Sequence, residues 1–231
     1  MKNSKRIIYG LLLTAVAFLS ANFAGRKILL NSQSLPPSFI THSAMLILSI
    51  VLICCLRKYV NYKIAWPKFK KTLKPMLLGF LAVVIINALL VGLGKVFGIE
   101  AGSHFVFDVM TPLQIFLFIC ILASVAEEVL FRGFLQNILK PLQAGGIKFC
   151  KRHISVPVMI AALAFSLAHL ILIASGAGAY FIFRTLTFTF ALGLIAGYYQ
   201  EKYDNNAYAI LVHMSGNLLG LITALLATIN V

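Results

Sequence analysis

Residues 113–139 read LQIFLFICILASVAEEVLFRGFLQNIL, an apolar run that carries Glu127, Glu128 and Arg132 near its middle. About 20 apolar residues are enough to cross a bilayer as an α-helix. A charged side chain at the centre of a membrane helix costs at least about 2.5–3.5 kcal/mol, so such residues usually serve a function. This run therefore predicts a membrane helix with a polar site inside it.

The composition of the whole chain agrees with a membrane protein. Of its 231 residues, 61% are hydrophobic and 11% are charged, and the mean hydropathy is +0.95. A soluble domain is about 45–50% apolar and about 25% charged. These values exclude a soluble enzyme, a disordered chain and a disulfide-stapled secreted domain. The net charge of +14 comes from basic residues in short loops between apolar runs, so we expect no nucleic-acid partner.

Seven apolar runs are the predicted membrane spans, at residues 7–24, 39–56, 76–94, 113–139, 154–174, 180–199 and 207–229. We expect helices, because lipid offers no partner to unpaired backbone groups and strand-like alternation is missing. The predicted fold is an all-α polytopic bundle forming one membrane domain over residues 1–231. The run 113–139 is longer than a span needs, so it could tilt, kink or break, and a break would give eight helices. We expect the first span to stay uncleaved.

Basic residues mark one side of the membrane. If the seven spans alternate, most of the Lys and Arg residues fall on the side of the N-terminus. The positive-inside rule then predicts a multi-pass protein of the cell (inner) membrane, with the N-terminus cytoplasmic and the C-terminus outside. Residues 63–74, which also contain Trp66, could in addition bind anionic lipid at the cytoplasmic face; the alternative is a topology signal alone. The basic residues on this side are Lys2, Lys5, Arg6, Arg57, Lys58, Lys63, Lys68, Lys70, Lys71, Lys74, Lys140, Lys148, Lys151, Arg152 and Lys202.

Three pairs of residues inside the predicted helices are spaced four apart, which places each pair on one helix face. Glu127 has no such local partner, so it is free to act as a base. Each pair alone could be structural, as an ion pair or as a polar contact between helices. Together, a glutamate, two histidines and an asparagine supply what water activation and oxyanion stabilisation require. The pairs are Glu128 with Arg132, Phe165 with His169, and His213 with Asn217.

These motifs resemble those of the CPBP intramembrane proteases, which include the CAAX-processing Rce1-type enzymes and the bacterial Abi, or bacteriocin-processing, proteins. The resemblance spans about residues 123–225 and implies an intramembrane endopeptidase whose catalytic core is residues 113–231. Residues 1–112 then form N-terminal spans with a polybasic cytoplasmic loop. The matching segments are Glu127-Glu128-x-x-x-Arg132, Phe165-x-x-x-His169 and His213-x-x-x-Asn217, with the flanks VLFRGFLQ (129–136) and FALGLIAGYYQEKY (190–203).

The resemblance also implies a role for each motif residue. Glu127 would be the general base for a water molecule, His169 would assist that water, and His213 with Asn217 would hold the oxyanion. The substrate would be a peptide or protein with a membrane-anchored or lipid-modified end, and the bacterial relatives imply bacteriocin or pheromone processing or self-immunity. The supporting residues would be Glu128 and Arg132, which fix the geometry, and Phe165, which packs beside the site.

The cofactor stays open between none and one zinc ion. Glu127, His169 and His213 could hold zinc with a fourth position open, and the family was long described as metal-dependent. The missing HExxH motif and the presence of Asn217 favour metal-free glutamate chemistry. Two other functions are alternatives: a non-catalytic membrane scaffold of the same fold, and a small proton-coupled transporter. The complete polar set argues against the scaffold, and the lack of an internal repeat argues against the transporter.

The predicted spans leave a conflict in depth. At about 1.5 Å per helical residue, His169 and His213 lie roughly 15 Å apart along the membrane normal. A span boundary must therefore be wrong, or a helix must be tilted, displaced or broken. Two other histidines, His42 in the second span and His153 in a basic loop, are predicted to be structural or solvated.

Overall fold

A computed structural model describes residues 2–28, 30, 32, 34–36, 38–100, 102, 109–149 and 151–229 of the chain. In this part of the chain, seven helices are long and apolar enough to cross a membrane. The predicted all-α polytopic bundle is therefore confirmed. The helices are α1 (Asn3–Lys27), α2 (Ser38–Cys55), α3 (Phe69–Val96), α4 (Pro112–Gln136), α5 (Val156–Ser175), α6 (Ala179–Tyr203) and α7 (Ala207–Ile229).

Helix α4 is one unbroken span, so the break considered from the sequence does not occur. Its segments Ile115–Ala123 and Val129–Gln136 have π-helical hydrogen bonding, on either side of the α-helical turn Ser124–Glu128. A π-helical turn contains more residues than an α-helical one, which accommodates the extra length of this run. Such turns are frequent at functional sites, and here they flank the two glutamates.

A short β-hairpin precedes α5, where the sequence predicts only a loop. Strand β1 (Gly146–Phe149) pairs antiparallel with β2 (Arg152–Ser155), with Gly146 opposite Ser155. The hydroxyl of Ser155 then accepts a hydrogen bond from the backbone N–H of Val158, which is the usual role of serine at a helix start. The helix therefore begins at Val156, two residues later than predicted.

Helix α4 lies at the centre of the bundle. Leu130, Phe131 and Phe134 on α4 are at most 2% exposed and pack against α1, α2 and α5. Small residues let helix α1 lie close to the end of α4. A Cβ added at Gly10 would be only 2.9 Å from the side chain of Ile138, just beyond α4. Small residues at helix contacts favour packing in membranes, where burial from water supplies no drive. A second apolar cluster joins α3, α6 and α7.

Basic residues from distant loops meet at one end of the bundle. Arg6 donates a hydrogen bond to the backbone carbonyl of Ile138 at 3.0 Å. Lys63 and Lys140 contact the two carboxylate oxygens of Asp204 at 2.5 and 2.8 Å. The N-terminus, the second and fourth loops and the end of α6 thus lie at the same end, as seven alternating spans require.

We expect the Asp204 contacts to stabilise the fold at neutral pH but not in acid. Burial raises the pKa of Asp204, but hydrogen bonds from Lys140 and Lys63 outweigh it, so the pKa lies below its usual range. A lowered folded-state pKa gives stability that is present above the unfolded-state pKa and is lost as the pH falls through the folded-state value. Because these pairs are exposed, their contribution is at most about 1 kcal/mol.

Thermal unfolding of the wild type and of Asp204→Asn in detergent checks this expectation at two pH values. The wild type should melt slightly above the variant at pH 7, and the difference should shrink at pH 3. An equal difference at both pH values would contradict the electrostatic origin of this contact.

Candidate active site

Glu128, Arg132 and His213 form a hydrogen-bonded group in the middle of the bundle. The side chains of Glu128 and Arg132, both on α4, are fully buried, and Arg132 Nη1 donates to Glu128 Oε1 at 2.8 Å. His213 on α7 donates from Nδ1 to the same oxygen at 2.8 Å. A buried charge without its partner is strongly destabilising, so the three side chains constrain one another. The group therefore holds α4 and α7 in a fixed position relative to each other.

Glu127 lies between two imidazole rings from other helices. Its Oε2 is 3.9 Å from Nε2 of His213, and its Oε1 is 3.5 Å from Nε2 of His42 on α2. The Glu127 side chain is 16% exposed, whereas that of Glu128 is fully buried. The two neighbouring carboxylates thus have different environments. Glu128 binds groups of the protein, while the Glu127 side chain is only partly covered by it.

The Phe165 ring contacts both histidines predicted for the site. Its centroid is 5.1 Å from that of His169 and 5.3 Å from that of His213, and the Arg132 guanidinium lies 4.5 Å from it. The two histidines therefore lie close together, and the depth difference of roughly 15 Å estimated from helix rise is wrong.

The turn before α7 explains this correction. Asn206 immediately precedes the helix, is fully buried, and donates from its side chain to the backbone carbonyl of Glu128 at 3.2 Å. Helix α7 thus begins inside the bundle rather than at its surface. The depth of His213 estimated from the sequence was counted from the start of the predicted span, and it placed His213 too close to the membrane surface.

His169 has a defined orientation at the end of the α-helical part of α5. The α-helix Val156–Ala168 continues there as a 3₁₀ helix from His169 to Ser175. The Nδ1 of His169 donates to the backbone carbonyl of Phe165 at 3.0 Å. In a neutral imidazole this leaves Nε2 as a hydrogen-bond acceptor. The ring is therefore suited to accept a proton or to orient a water molecule.

Asn217 lies one turn beyond His213 on α7 and binds two groups of α4. Its Nδ2 donates to the backbone carbonyl of Ile119 and to the hydroxyl of Ser124, each at 3.1 Å. Both N–H donors of the amide are thus engaged within the protein. Donation to a reaction intermediate requires that one of these bonds be exchanged.

Two neighbours of the site were not anticipated by the sequence analysis. His42 contacts Glu127, although we predicted it to be structural or solvated. Ser124 is fully buried and binds Asn217. An ionisable residue inside an apolar span is by itself a signal of function, and His42 carried that signal. Ser124 carried none, because serine is common in membrane helices.

Gly193 on α6 makes room for the Arg132 side chain. A Cβ at this position would lie 2.8 Å from Arg132 Nη2 and 3.1 Å from the backbone of Ala162. The missing side chain thus lets α6 cover the buried guanidinium closely. Displacement of Arg132 would also disturb Glu128 and, through it, His213.

We therefore expect Gly193→Ala to reduce catalytic activity and to lower the melting temperature. Overpacking of this kind costs about 1–3 kcal/mol, and the backbone of Ala162 cannot yield as a flexible side chain does. Gly92→Ala on α3 is the matched control, because a Cβ there meets nothing within 4 Å. The prediction is contradicted if both variants melt and react like the wild type.

The residues do not fit the zinc alternative as they are placed. Within the described part of the chain, no three His, Cys, Asp or Glu side chains are arranged to hold one metal ion, and this covers Glu127, His169 and His213. No step of the mechanism below uses a metal.

Comparison with known families gives one match. Residues 109–219 match the family described as type II CAAX prenyl endopeptidase Rce1-like. Over this segment, a little under half of the chain, the protein is similar to the Rce1-like family. The match supports an intramembrane protease of the CAAX type in general, in a multi-pass membrane protein. No curated protein and no solved structure matches the chain.

The segment shared with the Rce1-like family runs from just before α4 into α7. It contains every catalytic and supporting residue predicted from the sequence. His42 on α2 lies outside it, so this part of the site comes from the N-terminal spans.

Proposed function

We propose that this protein is an intramembrane endopeptidase that hydrolyses peptides held at the membrane by a lipid-modified or membrane-anchored end. The observation that carries the proposal is the pair of unlike carboxylates. Glu128 is buried in the group with Arg132 and His213, while Glu127 is partly exposed between His213 and His42. An ion pair needed only for folding does not explain a second, accessible carboxylate beside it.

In the proposed first step, Glu127 acts as general base. A water molecule bound between Glu127 and Nε2 of His169 loses a proton to the Glu127 carboxylate. Its oxygen forms a bond to the carbonyl carbon of the scissile peptide, giving a tetrahedral intermediate. A positioned base of this kind contributes about 10²–10⁴-fold to the rate.

His213 and Asn217 are the proposed oxyanion donors. This role requires a proton on both ring nitrogens of His213: Nδ1–H then donates to Glu128, and Nε2–H donates to the oxyanion. Asn217 contributes by exchanging its bond to Ser124 for one to the oxyanion. The intermediate then collapses: the C–N bond breaks, and the proton held by Glu127 passes to the leaving amine. A donor that is fixed before the reaction stabilises the developing charge without reorganisation, which applies to His213 held by Glu128 and not to Asn217.

The position of the catalytic groups supports this substrate class. Glu127, His169 and His213 are all on helices that are long and apolar enough to cross the membrane. A peptide reaches them most readily if its own end is held in the bilayer. The family description, CAAX prenyl endopeptidase, makes a prenylated C-terminal peptide the first probe. The resemblance of the motifs to bacteriocin-processing proteins makes a bacteriocin-type peptide the second.

We further propose that the basic end of the bundle faces the cytoplasm and contacts anionic lipid. Trp66 is 98% exposed and Phe69 is 76% exposed, among the lysines of residues 63–74. Aromatic side chains beside lysines are typical of the membrane interface. This orientation puts the N-terminus inside and the C-terminus outside the cell (inner) membrane. A reporter enzyme that is active only outside should work when fused to the C-terminus, and activity only from an N-terminal fusion contradicts this.

Purified protein in lipid nanodiscs tests the proposed function directly. The probe is a fluorogenic peptide with a farnesylated cysteine three residues from its C-terminus, compared with the same peptide without the lipid. We expect release of the C-terminal tripeptide from the lipidated probe by the wild type and no release by Glu127→Ala. In parallel, peptide pools of cells with either protein reveal other substrates. Identical pools and an uncleaved probe would favour the scaffold or the transporter.

A further inference from the structure

We propose that His42 is a positioning residue for Glu127. Its Nε2–H holds Oε1 of the Glu127 carboxylate, so that Oε2 stays in place to take the proton from water. The inference rests on the proposed function, because it assigns a role within the same site. The inference adds to the proposed function a residue from α2, which lies outside the segment that matches the Rce1-like family.

The contact between the two side chains is the first support. Nε2 of His42 is 3.5 Å from Oε1 of Glu127, and the His42 side chain is only 13% exposed. Such catalytic contacts are often long without substrate and shorten when it binds. The other ring nitrogen, Nδ1, is buried and has no hydrogen-bond partner in the described part of the chain. The proton of a neutral ring therefore belongs on Nε2, where the carboxylate can accept it.

The other charged and titratable groups near Glu127 are already committed. Arg132 and Nδ1 of His213 both bind Glu128, and Nδ1 of His169 binds the carbonyl of Phe165. Nε2 of His213 is 3.9 Å from the second oxygen of Glu127. His42 is thus the group that contacts Oε1, while His213 is on the side of Oε2.

Packing of α2 fixes where the His42 ring lies. Met45 and Ser49, three and seven residues further along, are 1% and 0% exposed, so they lie on the buried face of α2 together with His42. Helix α2 packs against residues 115–136 of α4. The ring is therefore held against Glu127 by the core rather than by a flexible loop.

Three substitutions separate positioning from mere packing. In His42→Gln, the amide nitrogen can take the place of Nε2; in His42→Asn it comes nearer to Nδ1; and His42→Leu keeps bulk without a donor. We expect His42→Gln to retain most of the wild-type kcat on the farnesylated probe. His42→Asn and His42→Leu should lower kcat by roughly 10–100-fold with KM unchanged, because misplacement of a catalytic group by about 1 Å can cost 100-fold.

Ser49→Ala is the control on the same buried face, because the Ser49 hydroxyl donates to the carbonyl of Met45 within α2 and to no other group among the described residues. It should react like the wild type. The proposal is overturned if His42→Leu keeps wild-type kcat, or if the Gln, Asn and Leu variants are equally impaired. In the first case His42 is dispensable, and in the second its shape alone matters.

A second measurement does not depend on activity. Melting temperatures of His42→Leu, Glu127→Gln and the double variant report whether the two side chains interact. We expect the shift of the double variant to differ from the sum of the two single shifts. Additive shifts would overturn the contact, even if no peptide is cleaved. If the wild type cleaves neither peptide probe while coupling is present, the proposed function fails and the contact stands.

Discussion

Glu127→Gln is expected to lower peptide cleavage by about 10²–10⁴-fold, because the amide cannot take the proton from water. The amide is the same size as the carboxylate and can still accept a hydrogen bond from His42. We therefore expect the variant to remain folded and to bind the farnesylated peptide with little change. The loss should appear in kcat and not in KM, since the general base acts in the transition state.

Glu100→Gln provides the matched control for this experiment. Glu100 is an exposed acid outside the membrane-spanning helices, so the same chemical change there should leave cleavage unaltered. Cleavage rates of the two variants, measured on equal amounts of folded protein in nanodiscs, check the prediction. Comparable rates for Glu127→Gln and the wild type would exclude Glu127 as the base.

Arg132→Met should lower the free energy of unfolding by about 3–5 kcal/mol, more than Gly193→Ala. The substitution removes the hydrogen bond from Arg132 to the fully buried Glu128 carboxylate, and the hydrogen bond from His213 remains. It also removes the guanidinium from the face of Phe165, to which it lies 4.5 Å away. We expect a lower melting temperature in detergent and no measurable cleavage.

Removing the charge of Glu128 in the Arg132→Met variant should restore stability without restoring cleavage. In Arg132→Met/Glu128→Gln the uncompensated charge is gone, so much of the lost stability should return while cleavage stays absent. Arg57→Met is the control, because Arg57 is exposed at the end of the bundle. If Arg132→Met melts like Arg57→Met, the buried ion pair does not constrain the site.

Local spacing was enough to predict the parts of the site that lie on one helix. Glu128 and Arg132 are four apart on α4, and Phe165 and His169 are four apart on α5, so a single helical turn fixes each contact. The number of spans was predictable for a similar reason. Each requires only a run of apolar residues long enough for the bilayer.

Contacts between helices were not predictable, because they depend on depth and rotation. His213 can bind Glu128 because α7 begins inside the bundle, where Asn206 is buried. The pattern of apolar residues does not encode that depth. His42 has no ionisable residue four positions away, so its contact with Glu127 became visible only when α2 was packed against α4.

For Asn217, the spacing along the helix predicted a contact that the structure does not show. Its spacing from His213 suggested that both side chains act at one point. In the structure its amide nitrogen binds Ile119 and Ser124, while His213 binds the glutamates. Two residues four apart on one helix face are separated by about 6 Å along the axis, so they can contact different turns of the opposing helix.

Hydrolysis of the farnesylated peptide in ¹⁸O-labelled water tests the central claim most directly. Mass spectrometry of the released products shows whether the new carboxyl group carries one labelled oxygen atom. The account predicts labelled product from the wild type and from Glu100→Gln, and almost none from Glu127→Gln. Equal amounts of labelled product from Glu127→Gln and the wild type would contradict glutamate-activated water as the source of activity.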